Sequence, residues 1–210
     1  MAGGLVASAA MAALAACRGL GGRTSPGGPG PVPVPGGYIG RFKIQRAEAG
    51  GVPAFVEADW RLVIDGLVAE PLALTWKQVL ALPQSTMTNT FECVEGWTVP
   101  NVHWQGIRLA DLMQRVRPRP QARFVVFTAE GGSYTDNLSL AQASDPRAML
   151  AVRMDGKPLD PRLGAPLRLV VPWMYGYKSV KWLRHIEFVA RAAPGYWEER
   201  GYPTDAELPG

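Results

Sequence analysis

Cysteine and histidine are scarce in this chain, whose 210 residues include two of each. Two cysteines and two histidines cannot supply two four-ligand zinc sites, the paired-histidine ligation of several haems, or a disulfide scaffold. The excess of positive charge is also small, with 22 Lys and Arg against 18 Asp and Glu. Because these cations are dispersed rather than clustered, we expect no nucleic-acid partner.

No charged side chain occurs in residues 1–16, which are almost all Ala, Gly, Val, Leu and Met. This apolar stretch is too short to span a bilayer and is typical of an export signal, although no positive stretch precedes it. Its end, Leu14 to Cys17, resembles a bacterial lipobox, and an ordinary cleavage region is the alternative. We therefore predict an export signal over residues 1–17 and a location in the periplasm or on the outer face of the cytoplasmic membrane. Cys17 is a candidate lipid anchor.

Glycine and proline dominate residues 18–37, with eight Gly and five Pro in twenty positions. Such a composition buries too little surface to offset the entropy of ordering it, so we predict a tether. Residues 38–210 instead mix aromatic, β-branched and charged side chains. They are numerous enough to bury a substantial core, and we expect them to form the functional domain.

Short strand patterns outnumber helical ones in residues 38–210. Two helices are predicted, one opened by the capping box Thr75 to Gln78 and one amphipathic over Leu109 to Val116. Asp155-Gly156 is typical of a hairpin turn. The sequence therefore predicts an α+β fold with mixed β-sheets and short helices. The predicted strands cover Arg61–Gly66, Thr86–Cys93, Phe124–Thr128, Leu167–Val171 and Lys181–Ala190.

Cys93 is the single thiol of the domain if Cys17 is lipidated or removed. An odd cysteine in an exported protein is a buried inert side chain, an intermolecular disulfide, or a sulfur used in chemistry. Cys93 lies at the end of a predicted strand, where a side chain is able to face a pocket. A thiolate is a good ligand for a soft or high-valent metal. One ligand cannot hold a metal alone, so the remaining donors would come from a separately bound cofactor.

A second segment, Pro166 to Lys181, combines an apolar strand with three cations and a turn that contains glycine. Arg offers a planar fork and Lys a movable charge, both suited to phosphate. The pattern is therefore compatible with a phosphate-binding turn. Its other interpretation, which we favour for this segment taken alone, is a strand and hairpin whose cations are solvated.

Three motifs in order carry a family resemblance: Phe91 to Trp97, Pro172 to Leu183, and Gly195 to Tyr202. Together they resemble the molybdopterin-binding domain of the sulfite oxidase family. The likeness is greatest to its branch of exported bacterial reductases, which includes periplasmic protein-methionine-sulfoxide reductase catalytic subunits, and it spans Trp60 to Tyr202. It implies a sulfite-oxidase-type molybdopterin-binding fold and a molybdenum-molybdopterin cofactor.

The resemblance also implies roles for individual residues. Cys93 would supply the protein's sulfur to molybdenum, and the dithiolene of the pterin would supply the other sulfurs. Thr128 would bond the pterin, and Arg168 would hold the cofactor phosphate. Leu163 stands where the reductase branch usually has an Asn, so one polar contact to the cofactor would be missing or replaced. The turn that closes over the phosphate end would consist of Ser179, Val180 and Lys181.

The implied chemistry is oxygen-atom transfer by molybdenum, in which the protein sets the orientation of the cofactor and the electrostatic field around it. Glu92 and Glu95 flank Cys93, and carboxylates near the metal disfavour an anionic substrate. We therefore prefer reduction of a small-molecule or protein-bound S-oxide or N-oxide, with sulfite oxidation as the alternative. His103 is a candidate proton donor because its ordinary pKa suits that role, although an isolated His beside aromatics more often packs.

No Cys-x-x-Cys-His haem motif and no cysteines for an iron–sulfur cluster are present. Electrons would therefore come from a redox partner protein, either a membrane haem subunit or a soluble cytochrome. Two other classes remain open from the residues. One is a hydrolase with Cys93 and His103 as nucleophile and base. The other is a non-catalytic lipoprotein that keeps the fold as a binding module.

Overall fold

The computed structural model describes residues 37–44, 51–132 and 134–209 of the chain. The predicted export signal, Cys17 and nearly all of the predicted tether lie outside these residues. Every helix within the described ranges is too short or too polar to cross a lipid bilayer.

Short strands and brief helices alternate along the described chain. The helices are α1 Trp76–Leu80, α2 Leu109–Val116 and α3 Leu140–Ala143. Single 3-10 turns include Pro161–Leu163, Gly176–Lys178 and Glu198–Arg200. The strands are β1 Gly37–Ile39, β2 Phe42–Ile44, β3 Arg61–Gly66, β4 Leu72–Thr75, β5 Ser85–Glu92, β6 Thr98–Arg108, β7 Phe124–Ala129, β8 Thr135–Ser139, β9 Met149–Met154, β10 Lys157–Pro158, β11 Arg168–Val170 and β12 Leu183–Val189.

A mixed five-stranded sheet has the strand order β4-β3-β12-β7-β8. Strands β3 and β12 pair in parallel, with Val63 opposite His185, and the remaining neighbours are antiparallel. A hydrogen bond of 2.7 Å between His185 Nε2 and Asp65 Oδ1 ties this parallel pair together on its outer face. The last strand of the chain thus occupies the middle of the sheet.

The second five-stranded sheet is antiparallel, with the order β10-β9-β6-β5 and with β11 also paired to β9. Strands β6 and β9 approach closely at Gly106, where an added Cβ would overlap the carbonyl oxygen of Leu150. A third, two-stranded unit is the hairpin of β1 and β2. The predicted α+β class with mixed sheets is confirmed.

The apolar side chains form two cores. The larger core joins the inner faces of both sheets with α2, and it includes Ile64, Leu112, Phe127, Leu150, Leu169 and Phe188. The smaller core lies on the opposite face of the antiparallel sheet, beneath the β1–β2 hairpin. Its members include Phe42, Val102, Trp104, Met149, Leu163 and Val170.

Locally encoded predictions are confirmed. The strand at Arg61–Gly66 and the amphipathic helix at Leu109–Val116 have the predicted bounds. Thr75 and Gln78 form the reciprocal capping box that opens α1. The Asp155-Gly156 turn joins β9 to β10, and both residues have positive φ as such a turn requires.

Several elements, among them α3, β8 and β9, were not predicted, and two further features differ from the sequence patterns. Strand β6 is not predicted, because Pro100 and Gly106 interrupt its alternation and Asn101 adopts a φ of +53°. The expected hairpin after Arg168 is also wrong. The chain instead leaves β11 through the 3-10 turn Gly176–Lys178, and β12 then joins the other sheet.

Candidate functional site

Cys93 follows the last residue of β5 and begins a tight turn. Its backbone N–H donates to the carbonyl of Trp97 at 3.0 Å, and its own carbonyl accepts from the Gly96 N–H at 2.9 Å. Gly96 has a φ of +83°, which glycine adopts without strain. The Cys93 residue is partly exposed. The cysteine therefore lies at an accessible strand end, as predicted, and is not sealed within a core.

The ring of Phe91, two residues before Cys93, links the cysteine turn to the segment around Arg168. Its centroid is 5.8 Å from that of Trp97, and the guanidinium carbon of Arg168 also lies 5.8 Å from its centroid. Gly176 touches the same ring so closely that an added Cβ would overlap it. The cysteine turn and the segment around Arg168 thus form one local cluster around the Phe91 ring, although they are far apart in sequence.

Arg168 is a buried cation on the face of the antiparallel sheet that belongs to the smaller core. The residue is 3% exposed, and its guanidinium carbon lies 5.3 Å from the centroid of the Trp104 ring. Three backbone carbonyls accept hydrogen bonds from it: Leu163 O at 2.9 Å, Ser179 O at 3.3 Å and Leu169 O at 3.4 Å.

The charge of Arg168 meets no carboxylate among the ion pairs of the described residues. Burial lowers the pKa of its guanidinium to about 10, so the group is still a cation at neutral pH. A guanidinium offers five N–H donors, and the carbonyls engage only three of them within the described chain. A buried cation with donors to spare is suited to an anionic ligand such as a phosphate.

The turn Ser179–Lys181 lies directly beside Arg168. The Ser179 hydroxyl accepts from the Val171 N–H at 3.1 Å, and the Val180 carbonyl accepts from the Leu169 N–H at 2.8 Å. The Lys181 ammonium lies 4.8 Å from the centroid of the Trp182 ring. The structure therefore brings four predicted cofactor-binding residues together: Arg168, Ser179, Val180 and Lys181.

Leu163 contributes to this cluster through its backbone. Its side chain is buried in the smaller core, and its carbonyl accepts from Arg168 at 2.9 Å. The following Gly164 has a φ of +111°, and an added Cβ there would lie 3.0 Å from the Lys181 side chain. The Pro161–Leu163 turn is thus packed against Arg168 and Lys181, and the Leu163 side chain is part of the smaller core.

Two of the three cations predicted to be solvated in the segment Pro166 to Lys181 are buried. Arg168 and Lys178 are each 3% exposed, and only Lys181 is partly exposed. The interpretation of the segment as a strand and hairpin with solvated cations is therefore wrong for these two residues.

Thr128 lies away from this cluster. In β7 the side chains of Phe127 and Ala129 face the larger core, so Thr128 faces the opposite side of the mixed sheet, opposite His185 in register. Arg168 instead lies on the smaller-core face of the other sheet. The structure does not bring these two side chains together, and a contact between Thr128 and the pterin stays a prediction.

His103 is exposed on the outer face of the β5–β6 pair. Its Nδ1 and the Thr88 hydroxyl are 2.7 Å apart, and the two residues are register partners. Cys93 lies five residues after Thr88 along the same strand edge, a distance of about 16 Å at the rise per residue of a β-strand. Nucleophile and base must be in hydrogen-bond contact, so this register does not assemble Cys93 and His103 as a dyad. A proton-donor role for His103 likewise gains no support from its position.

One cation of the β1–β2 hairpin lies beside the cysteine turn, and another lies beside the β9–β10 turn. Lys43 Nζ is 3.3 Å from Glu95 Oε2, and Arg41 is 3.4 Å from Asp155. Both pairs are exposed. The negative charge that Glu95 brings next to Cys93 is therefore partly compensated, and Glu92 is partly buried at the end of β5.

The donor set around Cys93 fits a metal that arrives with its own ligands. Within residues 37–44, 51–132 and 134–209, no three His, Cys, Asp or Glu side chains converge on a common point. A metal held by protein atoms alone would need such a group. A metal held by one cysteine and by a cofactor anchored at Arg168 needs only the cluster described above.

The sequence did not predict the ion-pair partners of Lys178. Its ammonium is 2.5 Å from Asp136 Oδ1 and 2.6 Å from Glu198 Oε1, and all three side chains are at most 3% exposed. Burial raises the pKa of Asp136 to about 6, against the lowering effect of Lys178. The partners lie 42 and 20 residues away, so only the lysine within an aromatic, apolar run signals a buried charge.

Comparison with known proteins indicates the family of the chain. A family model described as the oxidoreductase molybdopterin binding domain matches residues 49–197. An uncharacterized oxidoreductase of Bacillus subtilis (strain 168), YuiH, is 38% identical over 154 residues, which are 73% of this chain and 77% of that protein. The protein-methionine-sulfoxide reductase catalytic subunit MsrP of Campylobacter jejuni is 34% identical over 160 residues, which are 69% of this chain and 54% of that protein.

One solved structure extends the comparison to three dimensions. The sulfane dehydrogenase SoxCD from Paracoccus pantotrophus matches with a TM-score of 0.64 and 26% identity, over 69% of this chain and 41% of that chain. The chain thus spans about half of the Campylobacter relative and less than half of the SoxCD chain. The predicted sulfite-oxidase-type fold is confirmed.

Proposed function

The chain belongs to the family of oxidoreductase molybdopterin-binding domains, and on that premise we propose that it is an exported enzyme that reduces an S-oxide or N-oxide by oxygen-atom transfer. Family membership and the reductase and dehydrogenase relatives make it an oxidoreductase. The direction of the reaction, the class of substrate and the location are parts of the proposal.

The proposal is carried by the cluster that joins Cys93 to Arg168 through Phe91. An accessible cysteine stands at one end of this cluster and a buried cation with spare donors at the other. A molybdenum-molybdopterin cofactor has both a metal that takes a thiolate and a phosphate that takes a guanidinium. One bound molecule would satisfy both ends.

Each residue of the cluster has a distinct task in this proposal. Cys93 would hold the metal through its sulfur. Arg168 would bind the phosphate with the N–H groups that its three carbonyl partners leave over. The turn Ser179, Val180 and Lys181 would cover the phosphate end, with Lys181 adding a movable charge. When bound, the cofactor supplies two-electron exchange of an oxygen atom, by which an S-oxide, two electrons and two protons give a thioether and water.

Two observations favour reduction of a neutral oxide. The Campylobacter relative is named as a methionine-sulfoxide reductase catalytic subunit. Glu92 and Glu95 also place carboxylates beside Cys93, which disfavours an anion such as sulfite. Oxidation of a sulfur compound is the second candidate, because SoxCD is named as a dehydrogenase and Lys43 offsets the charge of Glu95.

Electrons would reach the domain from another protein, since the sequence has no Cys-x-x-Cys-His haem motif and too few cysteines for an iron–sulfur cluster. We assign this role to a membrane haem subunit or a soluble cytochrome. Residues 1–17 would direct export, and Cys17 would attach the domain to the outer face of the cytoplasmic membrane. Labelling with radioactive palmitate tests the anchor: Cys17→Ser should lose the label and should leave the membrane fraction.

Replacement of Cys93 tests the function directly. Wild type and Cys93→Ser are purified from a host that makes the cofactor, with Thr90→Ser on the exposed side of β5 as the matched control. We expect about one molybdenum per wild-type chain and reduction of methionine sulfoxide with an artificial electron donor. Cys93→Ser should lose at least 100-fold of this activity, while the control stays within threefold.

The alternative functions give different results in the same preparation. Sulfite oxidation without sulfoxide reduction would reverse the proposed direction. Hydrolytic activity that survives without metal but is lost to alkylation of Cys93 would indicate the nucleophile mechanism. Wild-type protein that carries neither molybdenum nor pterin would indicate a binding module.

A further inference from the structure

A buried ionic cluster adjoins the turn Ser179–Lys181, because one of its members, Lys178, directly precedes that turn. It consists of Lys178, Asp136 of β8 and Glu198 of the closing segment, and the three side chains are 3%, 1% and 2% exposed. Lys178 Nζ donates to Asp136 Oδ1 at 2.5 Å and to Glu198 Oε1 at 2.6 Å. One lysine therefore ties together three segments that are distant in sequence.

The closing segment Gly195–Tyr202 is held against β8 by further contacts. Glu198 Oε2 accepts from the Gly195 N–H at 2.8 Å, and the Tyr196 N–H donates to the Thr135 carbonyl at 2.8 Å. Gly195 also lies so near Asp136 that an added Cβ would be 2.8 Å from its Cγ. Glycine at this position allows the closing segment to reach the ionic cluster.

Lys178 ends the 3-10 turn Gly176–Lys178 and Ser179 follows it, and these two consecutive residues are fixed to different parts of the protein. Lys178 is bonded to Asp136 and Glu198, whereas Ser179 is bonded to Arg168 and Val171. The Ser179 N–H also donates to the Gly176 carbonyl at 3.1 Å. The turn is therefore held between the closing segment on one side and the phosphate-binding cation on the other.

Lys178 is too enclosed to bind a ligand itself. It is 3% exposed, and two carboxylates already accept from its ammonium. A buried ion pair gives little net stability compared with apolar side chains of the same volume, so its fixed directional bonds are the property that apolar packing would not supply. Those bonds specify where the backbone of residues 178–181 lies.

We propose that Lys178, Asp136 and Glu198 are positioning residues that hold the turn Ser179–Lys181 in its cofactor-binding shape by tying it to the closing segment. This inference rests on the proposed function, because the turn is assigned to the phosphate end of the cofactor. The cluster acts on that end alone, so the bond between Cys93 and the metal should not depend on it.

The experiment compares cofactor retention with local backbone order. Wild type, Lys178→Met and Glu198→Gln are purified with cofactor, and Glu70→Gln, which breaks the exposed pair with Arg117, is the matched control. Loss of molybdenum during extended dialysis gives the release rate. Amide hydrogen exchange, read on peptides that cover residues 176–182 and on peptides from β3 and β12, is measured on cofactor-free protein.

We expect both cluster variants to release the cofactor at least tenfold faster and to exchange at least tenfold faster at residues 176–182. Hydrogen exchange in β3 and the visible absorption of the still-loaded protein should stay within threefold of wild type in the cluster variants. The Glu70→Gln control should stay within threefold of wild type in its release rate and its exchange. Release at the wild-type rate, or exchange that rises equally in β3, would overturn the proposal. Glu198→Gln decides the question if Lys178→Met does not fold.

Failure of the proposed function is distinguishable from failure of this inference. Wild-type protein without molybdenum would contradict the function, while exchange at residues 176–182 would still rise in the cluster variants if the positioning role holds. Loaded wild type together with unchanged exchange in both variants would leave the function standing and refute the positioning role.

Discussion

The ring of Phe91 and the backbone of Gly176 are in direct contact, with no room between them for a methyl group. Phe91 lies two residues before Cys93, and Gly176 begins the 3-10 turn that leads to Ser179. This contact therefore packs the end of β5, just before the cysteine, directly against the start of the turn that leads to Ser179.

Gly176→Ala should destabilise the fold by about 1–3 kcal/mol, because its methyl group must displace the Phe91 ring. Urea unfolding measures the loss. In the Phe91→Leu background the same substitution should cost at least about 1 kcal/mol less, since the smaller side chain leaves room. An equal cost in both backgrounds would show that the ring is not the obstacle.

Arg168→Met should lower the molybdenum content of the purified protein at least tenfold, because the phosphate loses its buried cation. Arg168→Lys should retain an intermediate amount, since it keeps the charge without the planar fork. The control is Arg162→Met, which removes an exposed pair with Asp160. Metal analysis and thermal unfolding are measured together, and a folded Arg168→Met with full molybdenum would contradict the assignment.

Asp136 should make the protein less stable as the pH rises from about 4 to 6. Its pKa is raised from 3.8 to about 6 in the folded protein, so the folded state binds the proton more tightly than the unfolded state in that window. At about 1.4 kcal/mol per pKa unit, the contribution lost is about 3 kcal/mol. Asp145 and Asp160 have lowered pKa values, so they change the stability of the protein only below this pH range.

Urea unfolding at pH 4 and pH 6.5 tests this dependence. Asp136→Asn has no titrating group at this position, so its stability should fall by about 2–3 kcal/mol less than that of wild type between the two pH values. An equal fall in both proteins would mean that other groups account for the pH dependence.

Glu95→Lys should shift substrate preference towards anions. Reversing the charge beside Cys93 should raise kcat/KM for sulfite about three- to tenfold relative to kcat/KM for a neutral sulfoxide at low ionic strength. The shift should shrink in 0.5 M salt, because exposed charges are screened. Glu70→Lys carries the same charge change at a pair on Arg117, far along the chain from Cys93, and should leave the ratio unchanged.

The local elements of the fold were predictable because short-range physics determines them. The capping box at Thr75 and Gln78 and the apolar stripe of α2 each act within a few residues. Strand β6 was not predictable in this way, because it continues through Asn101 and Gly106 only with the support of β5 and β9. The parallel pairing of β3 with β12 was not predictable either, because two strands so far apart in sequence leave no local pattern of their pairing.

Some residues of the candidate site were likewise predictable from the sequence, and others were not. Cys93 and Arg168 were found from residue chemistry and a family resemblance, and the structure places the cysteine turn and Arg168 against the same Phe91 ring. Thr128 and His103 could not be judged from sequence, because the face on which a strand side chain lies depends on register. The ionic cluster of Lys178 was missed because its carboxylates come from β8 and from the closing segment.

The placement of β12 bears on how the protein is made. Strand β12 pairs with both β3 and β7, so until residues 183–189 have been synthesised these two strands have unpaired edges. The mixed sheet therefore cannot be completed before that point, and a chain that stops before Leu183 exposes two unpaired strand edges that are open to pairing with other chains.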